Sequence, residues 1–427
     1  MKHLYKIIIF IIFLLTVNKA NAYNLLDSLS SAYLNNHKLN AERASLRANK
    51  EETKEAVSEF LPSITISGYV SEQENTNPGS NTNFKPSEKS MVVEQKIFQG
   101  FGGVANLKKK NSGYTLGEFK LKKTEQEILL LAAQAHTELI LNKKKVNINL
   151  INVDLLERQV ENDQNRLETG EISLTDLAQS ESSLAGSKAE LIQAQNDLVT
   201  SKSTFEKIIG NKPIDNIQDI KEFNMKLPKS LAAAYNISSS ENPDLKISFL
   251  EYKQSKLDVV IAASDLSPSA TLSYKVAEQD NFSSTVTDRT QQTLTATATW
   301  PLFSGGSNLY SLKKAKEIRN QKELLFEDSK KTVETEVANA WSLYQSSKSV
   351  LEAVRSQVKA AEIASEGITL EYESGGSRST LEIIQSRKIL LDSRIDLASS
   401  ERNFLLSKFT LLQAVGRLTA NQLNLKQ

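Results

Sequence analysis

This chain is written twice, the two versions offset by 206 residues. Ser201-Lys202-x-Thr204-x5-Gly210 returns as Ser407-Lys408-x-Thr410-x5-Gly416, and Pro62 of Leu61-Pro62-Ser63-x-Thr65 answers to Pro268 of Ser267-Pro268-Ser269-x-Thr271. Whatever the first half folds into, the second must fold into again, so the architecture has to be one that two similar units complete together. The structural repeats are 23–212 and 229–416, with an inter-repeat linker at 213–228 and a C-terminal tail at 417–427.

Proline placement says what each half contains. The eight prolines stand at 62, 78, 86, 213, 228, 243, 268 and 301, leaving 87–212 and 302–427 free of them. An interior proline costs a helix roughly 3 kcal/mol, so gaps of this size predict long helices. In the second gap Ile383, Leu390, Leu397, Phe404 and Leu411 recur every seven residues, and Ser386, Ser393, Ser400 and Ser407 follow the first four by three. Leu177, Leu184, Leu191, Leu198 and Phe205, with Ser180, Ser187, Ala194 and Ser201, repeat that register in the first gap. A sustained seven-residue period marks helices supercoiled around neighbours, and alternating large with small residues lets backbones approach closely. At 1.5 Å per residue, Gly103 to Thr169 and Ser307 to Ser374 each predict a helix ~100 Å long, and returning helices near 175–209 and 381–415 reach ~50 Å. Each half also opens with a helix, near 24–60 and 244–266. Two short helices stacked end to end then match one long one, which sets the linker and the tail near mid-height.

Between the opening and long helices lie strand-like runs, about 62–70 and 90–98 in the first half and about 268–276 and 292–302 in the second. Ile64, Ile66 and Val70 alternate with Thr65, Ser67 and Tyr69, and Leu294, Ala296, Ala298 and Trp300 alternate with Thr295, Thr297 and Thr299. Period-two alternation predicts half-buried strands. The segments joining them, 71–89 and 277–291, are rich in Asn, Ser and Thr and predict exposed loops. Where strand becomes helix stand Phe98-Gln-Gly100 and Phe303-Ser-Gly305, with Gly102 and Gly306 close behind, supplying the backbone angles a corner needs. Leu107-Lys108-Lys109 and Leu312-Lys313-Lys314 follow, read as a water-facing first turn beside a membrane.

The first 22 residues read as a signal peptide: lysines at 2 and 6, an apolar run from Ile7 to Val17, and Ala20-Asn21-Ala22 as the cleavage site. Its removal takes Lys2, Lys6 and Lys19 and moves the formal charge from +1 to −2, which gives no electrostatic case for nucleic acid. Cysteine is absent, which excludes disulfides, thiolate metal sites and thiol nucleophiles. His37 and His136 lie far apart without ligand spacing and read as ordinary helix residues. No nucleophile–base pair, phosphate loop or metal cluster emerges, so neither an enzyme nor a cofactor is expected. No later stretch reaches the ~20 apolar residues of a spanning helix, so a membrane crossing would need β-strands in a closed barrel. Four strands per chain fall short of the minimum of about eight; two chains would give a filled barrel, three a twelve-stranded one with a lumen.

With its duplicated helix-strand-strand-helix-helix order, Leu-Pro-Ser and Ser-Pro-Ser strand starts, Phe-x-Gly corners and Gly-containing helix turns, the chain resembles the TolC family of outer-membrane efflux ducts over nearly its whole mature length. The resemblance implies a mostly α fold with membrane β. In it a homotrimer forms a long coiled-coil α-helical barrel and a shared 12-stranded transmembrane β-barrel, four strands per chain. It implies a place in the outer membrane, in contact with its lipid, with the tunnel extending into the periplasm. The expected function is the passive exit duct of a tripartite efflux or type I secretion system, served by a periplasmic adaptor protein and an inner-membrane ABC or RND-type transporter.

Site residues follow from the same resemblance. Gly170-Glu-Ile-Ser-Leu-Thr175-Asp176 matches the family's first helix turn, and Tyr372, Arg378 and Glu382 match the second when Gly376 is its reference glycine. The expectation is a gate latch in which Arg378 pairs with Asp176 and Thr175 and Tyr372 donates to Asp176. Glu382 and Gln385 would line the pore aperture, and Gly170, Ser173, Gly375 and Gly376 would mark the turns that meet the adaptor. Two alternatives share export and heptads: a trimeric coiled-coil surface protein or adhesin, which has no need of a duplicated unit, and the adaptor itself, which needs more strands than the chain offers.

Overall fold

The computed structural model of the chain describes residues 23–77, 80–213, 217, 225–282, 286–374 and 378–425. The expected signal, most of the linker, and Gly375 and Gly376 lie outside the described residues. In chain order the elements are α1 (Leu25–Asn35), α2 (His37–Ser58), β1 (Ser63–Val70), β2 (Gln73–Asn77), β3 (Ser80–Phe84), β4 (Ser87–Gln99), α3 (Gly102–Glu168) and α4 (Leu174–Ile209). Then come α5 (Leu231–Glu241), α6 (Pro243–Ser264), β5 (Ser269–Asp280), β6 (Asp288–Thr299), α7 (Ser307–Glu373) and α8 (Thr380–Ala414). The two long helices have 67 residues each, and the returning helices 36 and 35. Among the described residues no helix is long and apolar enough to cross a membrane.

The chain divides into two compact units, one of Met1–Asn40, Thr124–Asn242 and Glu334–Gln427, the other of Ala41–Lys123 and Pro243–Val333. The second unit holds an antiparallel sheet in the order β1-β4-β5-β6. Residues opposite one another share a face, and toward the helix end of the sheet the register separates the faces by polarity, while the far rows, such as Lys89 with Glu278, are charged. Ile64, Val93, Tyr274 and Leu294 form one row, while the next row, Ser63, Glu94, Ser273 and Thr295, lies on the other face. The polar face carries an ion pair from Lys275 Nζ to Glu88 Oε1 at 2.6 Å, and Gln279 Nε2 donates to the same carboxylate. A bulge between Lys96 and Phe98 shifts the register by one, setting Phe98 opposite Ala270 on the apolar face.

Within one chain that sheet is bare. Ile66 and Val70 are 80% and 79% exposed, and no other described strand pairs with the outer edges of β1 and β6. The buried apolar side chains of this unit are few and mostly small: Ala56, Ala105, Leu116, Leu250, Ala262, Ala277 and Val333. A 12-residue edge strand such as β6, left open in water, is a template for further pairing.

Both strand-to-helix corners use left-handed backbone. Gly100 has φ 57° and sits where an added Cβ would lie 2.5 Å from Ser267 Cβ and 2.9 Å from the Ser264 carbonyl. Gly305 and Gly306 take φ 62° and 84°. Gly102 serves differently, its backbone being pressed against the Ser264 side chain.

Two expectations need correction. The first opening helix is two helices, α1 and α2, broken at Asn36, where ψ turns to 124°; the second is the single helix expected, α6, and the unexpected α5 precedes it across a matching break at Asn242, ψ 125°. The amide of Asn36 accepts from the Lys38 and Leu39 N–H groups and donates to the Ile208 carbonyl at 2.9 Å. Asn242, held off helical geometry by Pro243, donates to the Ala414 carbonyl at 2.9 Å, so the repeat offset is kept. Next, the segment 71–89 carries a hairpin, β2 with β3, around a sequence (Asn77-Pro78-Gly79-Ser80) rich in turn formers. His136 is a residue of α3, as expected, and is fully buried in the first unit, with Nδ1 2.6 Å from Ser28 Oγ and its ring 6.3 Å from that of Phe205. Burial pushes its pKa down to about 4, so the imidazole stays neutral.

The first unit also shows what the small heptad positions do. Ser180, Ser187, Ala194 and Ser201 in α4 and Ser386, Ser393, Ser400 and Ser407 in α8 are all buried, while Leu184, Leu191, Leu390 and Leu397 are half-exposed. Some of these hydroxyls are also bonded across helices: Ser187 accepts from Asn152 Nδ2 at 2.9 Å, and Ser393 accepts from Gln357 Nε2 at 3.2 Å.

Candidate functional site at the helix turns

Each returning helix starts with the same device. Ser173 caps α4, its hydroxyl accepting from the Asp176 N–H while Asp176 Oδ2 accepts from the Ser173 N–H at 3.0 Å and the Ser173 hydroxyl at 2.7 Å. Ser379 caps α8 in the same reciprocal way with Glu382, at 2.8 Å from its N–H and 3.1 Å from its hydroxyl. These are two capping boxes, 206 residues apart, that satisfy the free N–H groups of a helix start. The Ser173 hydrogen bonds hold the Asp176 carboxyl below its ordinary pKa. The Ser379 backbone does the same for Glu382, helped by Arg378. Gly170, at φ 77°, closes the first turn, with the Glu171 N–H donating to the Arg166 carbonyl at 2.9 Å.

Within one chain, then, the expected latch partners are engaged elsewhere. Arg378 pairs with Glu371 at 2.6 Å and with Glu382 at 2.9 Å, not with Asp176 or Thr175. Glu371 stands seven residues before Arg378 and Glu382 four after it, while the Asp176 carboxylate is held by Ser173. Thr175 and Gln385 are exposed. Tyr372 is buried, 3% exposed, and its hydroxyl donates at 2.7 Å to Asp163 rather than to Asp176.

Asp163 is the group that sequence reasoning missed. Fully buried on α3, its Oδ1 accepts from Tyr372 and from Gln159 Nε2 at 2.9 Å, and its Oδ2 accepts from the Ser180 hydroxyl. The Tyr372 oxygen is also 3.1 Å from Thr380 Oγ1, and burial pushes the phenol's pKa up. Arg387 of α8 donates to Gln159 Oε1 at 3.1 Å, and the Arg166 guanidinium lies 4.6 Å over the Tyr372 ring. One carboxylate therefore links α3, α4, α7 and α8 through hydrogen bonds that satisfy it without a direct ion pair. Nothing in the run Glu161-Asn162-Asp163-Gln164-Asn165 distinguishes this acid from a solvated one. The one available signal was Ser180, a small heptad position aimed at the long helix.

Among the described residues no group of His, Asp and Glu is arranged to hold a metal ion. What the geometry at these turns does is join helices.

Comparison with known proteins follows the same duplication. The family model for the outer membrane efflux protein matches residues 28–211 and again 234–417. The outer membrane efflux protein BepC of Brucella suis biovar 1 is 25% identical over 413 residues, covering 96% of this chain and 89% of that protein. The outer membrane protein TolC of Escherichia coli K12 is 20% identical over 418 residues, covering 95% and 84%. Among solved structures, the Campylobacter jejuni CmeC outer membrane channel superposes with a TM-score of 0.83 at 14% identity, over 92% of this chain and 86% of that one. CusC superposes at 0.79 and 16% identity over 92% of both chains. Two matches at the spacing of the internal repeat, over a fold shared almost end to end, settle the family: the chain belongs to the outer membrane efflux proteins.

Proposed function

We propose that this outer-membrane protein is one third of a homotrimeric exit duct, in which three four-stranded sheets close a twelve-stranded barrel and the helices continue as a tunnel. The observation that carries the reading is the unfinished sheet: two free edges, an apolar row on one face, a polar row with an ion pair on the other. Neighbouring copies pair β6 with β1, the apolar face meets lipid and the polar face lines the lumen. The duct passively carries cargo of a tripartite efflux or type I secretion system. It receives that cargo from an ABC or RND-type transporter through a periplasmic adaptor that meets the turns near Gly170, Ser173, Gly375 and Gly376. Leu174, 71% exposed beside Ser173, is an apolar contact for that adaptor.

The gate in this reading is the Asp163 clasp, which fastens the helices of each chain at the turns. Arg378 and the acids it touches set the charge of the mouth. Because Glu382 already carries Arg378, three such carboxylates near the axis favour cations only weakly. Purified protein in planar bilayers tests the duct: discrete ion currents accompanied by trimers resistant to heat in detergent support it. A protein that forms neither, but binds surfaces as a rod, would return the reading to an adhesin-like role.

A further inference from the structure

The strand-to-helix corners display apolar and cationic groups that remain largely exposed in the chain. Gln99 is opposite Ser269 and Ser269 is opposite Thr299, so the chain leaves β4 and β6 at the same end of the sheet. Just beyond, Phe101, Trp300, Leu302 and Phe303 are 69%, 62%, 79% and 86% exposed. Phe101 is moreover held at φ 67°, a conformation L side chains rarely adopt, with its ring edge-on to Phe98. Trp300 is oriented by its indole N–H donating to the Leu266 carbonyl at 3.2 Å. Phe101 is thus held by its backbone and Trp300 by its hydrogen bond, and with Leu302 and Phe303 they leave exposed apolar groups at this end of the sheet.

Cations follow in both repeats. No acid occurs between Gln95 and Gly117 or between Arg289 and Lys316. Lys108, Lys313, Lys314 and Lys316 are exposed; Lys313 lies over the Tyr310 ring, and the other three have no acidic partner among the described residues. Their neighbours Lys109 and Lys110 behave differently, pairing with Asp258 and Glu52. The acids nearest the corners are Glu59, which accepts from Asn106, and the exposed Asp265. These lysines stand in the second and third turns of α3 and α7, just past the corners, where an anion outside the chain would complement their charge.

We infer that the two corners form a lipid-reading collar, its rings in the interfacial zone and its lysines on the phosphates of anionic glycerophospholipids in the leaflet next to the helices. This rests on the membrane-spanning reading of the sheet, and the test separates the two. The chain has two tryptophans, so Trp341→Phe leaves Trp300 as the sole reporter. In phosphatidylcholine vesicles, brominated phosphatidylcholine quenches Trp300 if the sheet is inserted. Brominated phosphatidylglycerol at the same mole fraction is expected to quench with a relative association constant of about 3 or more. That preference falls to about 1 when Lys108, Lys313, Lys314 and Lys316 are all replaced by Gln, and survives when all four are replaced by Arg. Equal quenching by the two lipids in the parent, or a preference untouched by the four Gln replacements, would overturn the collar. Stronger quenching by a brominated lipid A would place the phosphates in the opposite leaflet and overturn it as well. Absence of quenching by either phospholipid would overturn the membrane reading itself, and the collar with it.

Discussion

Asp163 shows how much one side chain can decide. Its carboxylate accepts from three donors on two other helices and its own. Asp163→Asn turns one acceptor oxygen into an NH2 facing those donors, so at least one buried donor loses its partner, at about 1–3 kcal/mol. Thermal unfolding should register that loss, and bilayer recordings should show a higher resting conductance. Unchanged values in both would remove Asp163 from the gate. His136 predicts a pH effect of definite sign. Its pKa is pushed down to about 4 in the folded chain from 6.5, so as pH falls the unfolded chain takes the proton first. The stability it contributes is complete above about pH 6.5 and drains away between there and pH 4, by something on the order of 3 kcal/mol. Chemical denaturation across that range should steepen with acid in the parent and flatten in His136→Gln.

The elements were legible to very different degrees. Long helices followed from the proline gaps, and the strands from alternation, because both patterns are local and both are written twice. The Asn36 break was hidden, since asparagine in a helix is ordinary and its geometry depends on the Ile208 carbonyl far along the chain. Its twin was readable from Asn242-Pro243, and the offset pointed back to 36. The capping boxes were equally available as Ser173-x-x-Asp176 and Ser379-x-x-Glu382, yet a gate resemblance drew both acids into another role. Asp163 was beyond reach, because burial of one acid in a polar run is fixed by partners 17 and 209 residues away. At this scale Ser173→Ala and Ser379→Ala should each cost about 1 kcal/mol of helix stability. Gly416→Ala should cost more, for Gly416 sits at φ 82° and an added Cβ would press on the Glu241 carbonyl and Asn242. Denaturant midpoints of the three variants test that order.

For the whole molecule, the central claim is that a chain supplies only part of a wall. Its sheet has apolar rows too exposed for water and two edges too long to stay open, and the heptad residues Leu184, Leu191, Leu390 and Leu397 are half-covered. Each of these is an unpartnered surface that a second copy matches. Because the chain has no cysteine, an introduced pair reports without background. Cysteine at Thr295 in β6, combined in turn with cysteine at each position from Ser63 to Val70 in β1, reads the edge-to-edge contact directly. The account predicts oxidised dimers and trimers at a restricted set of positions, with the ladder ending at three chains. Monomer at every position, in a protein that still conducts across a bilayer, would contradict it.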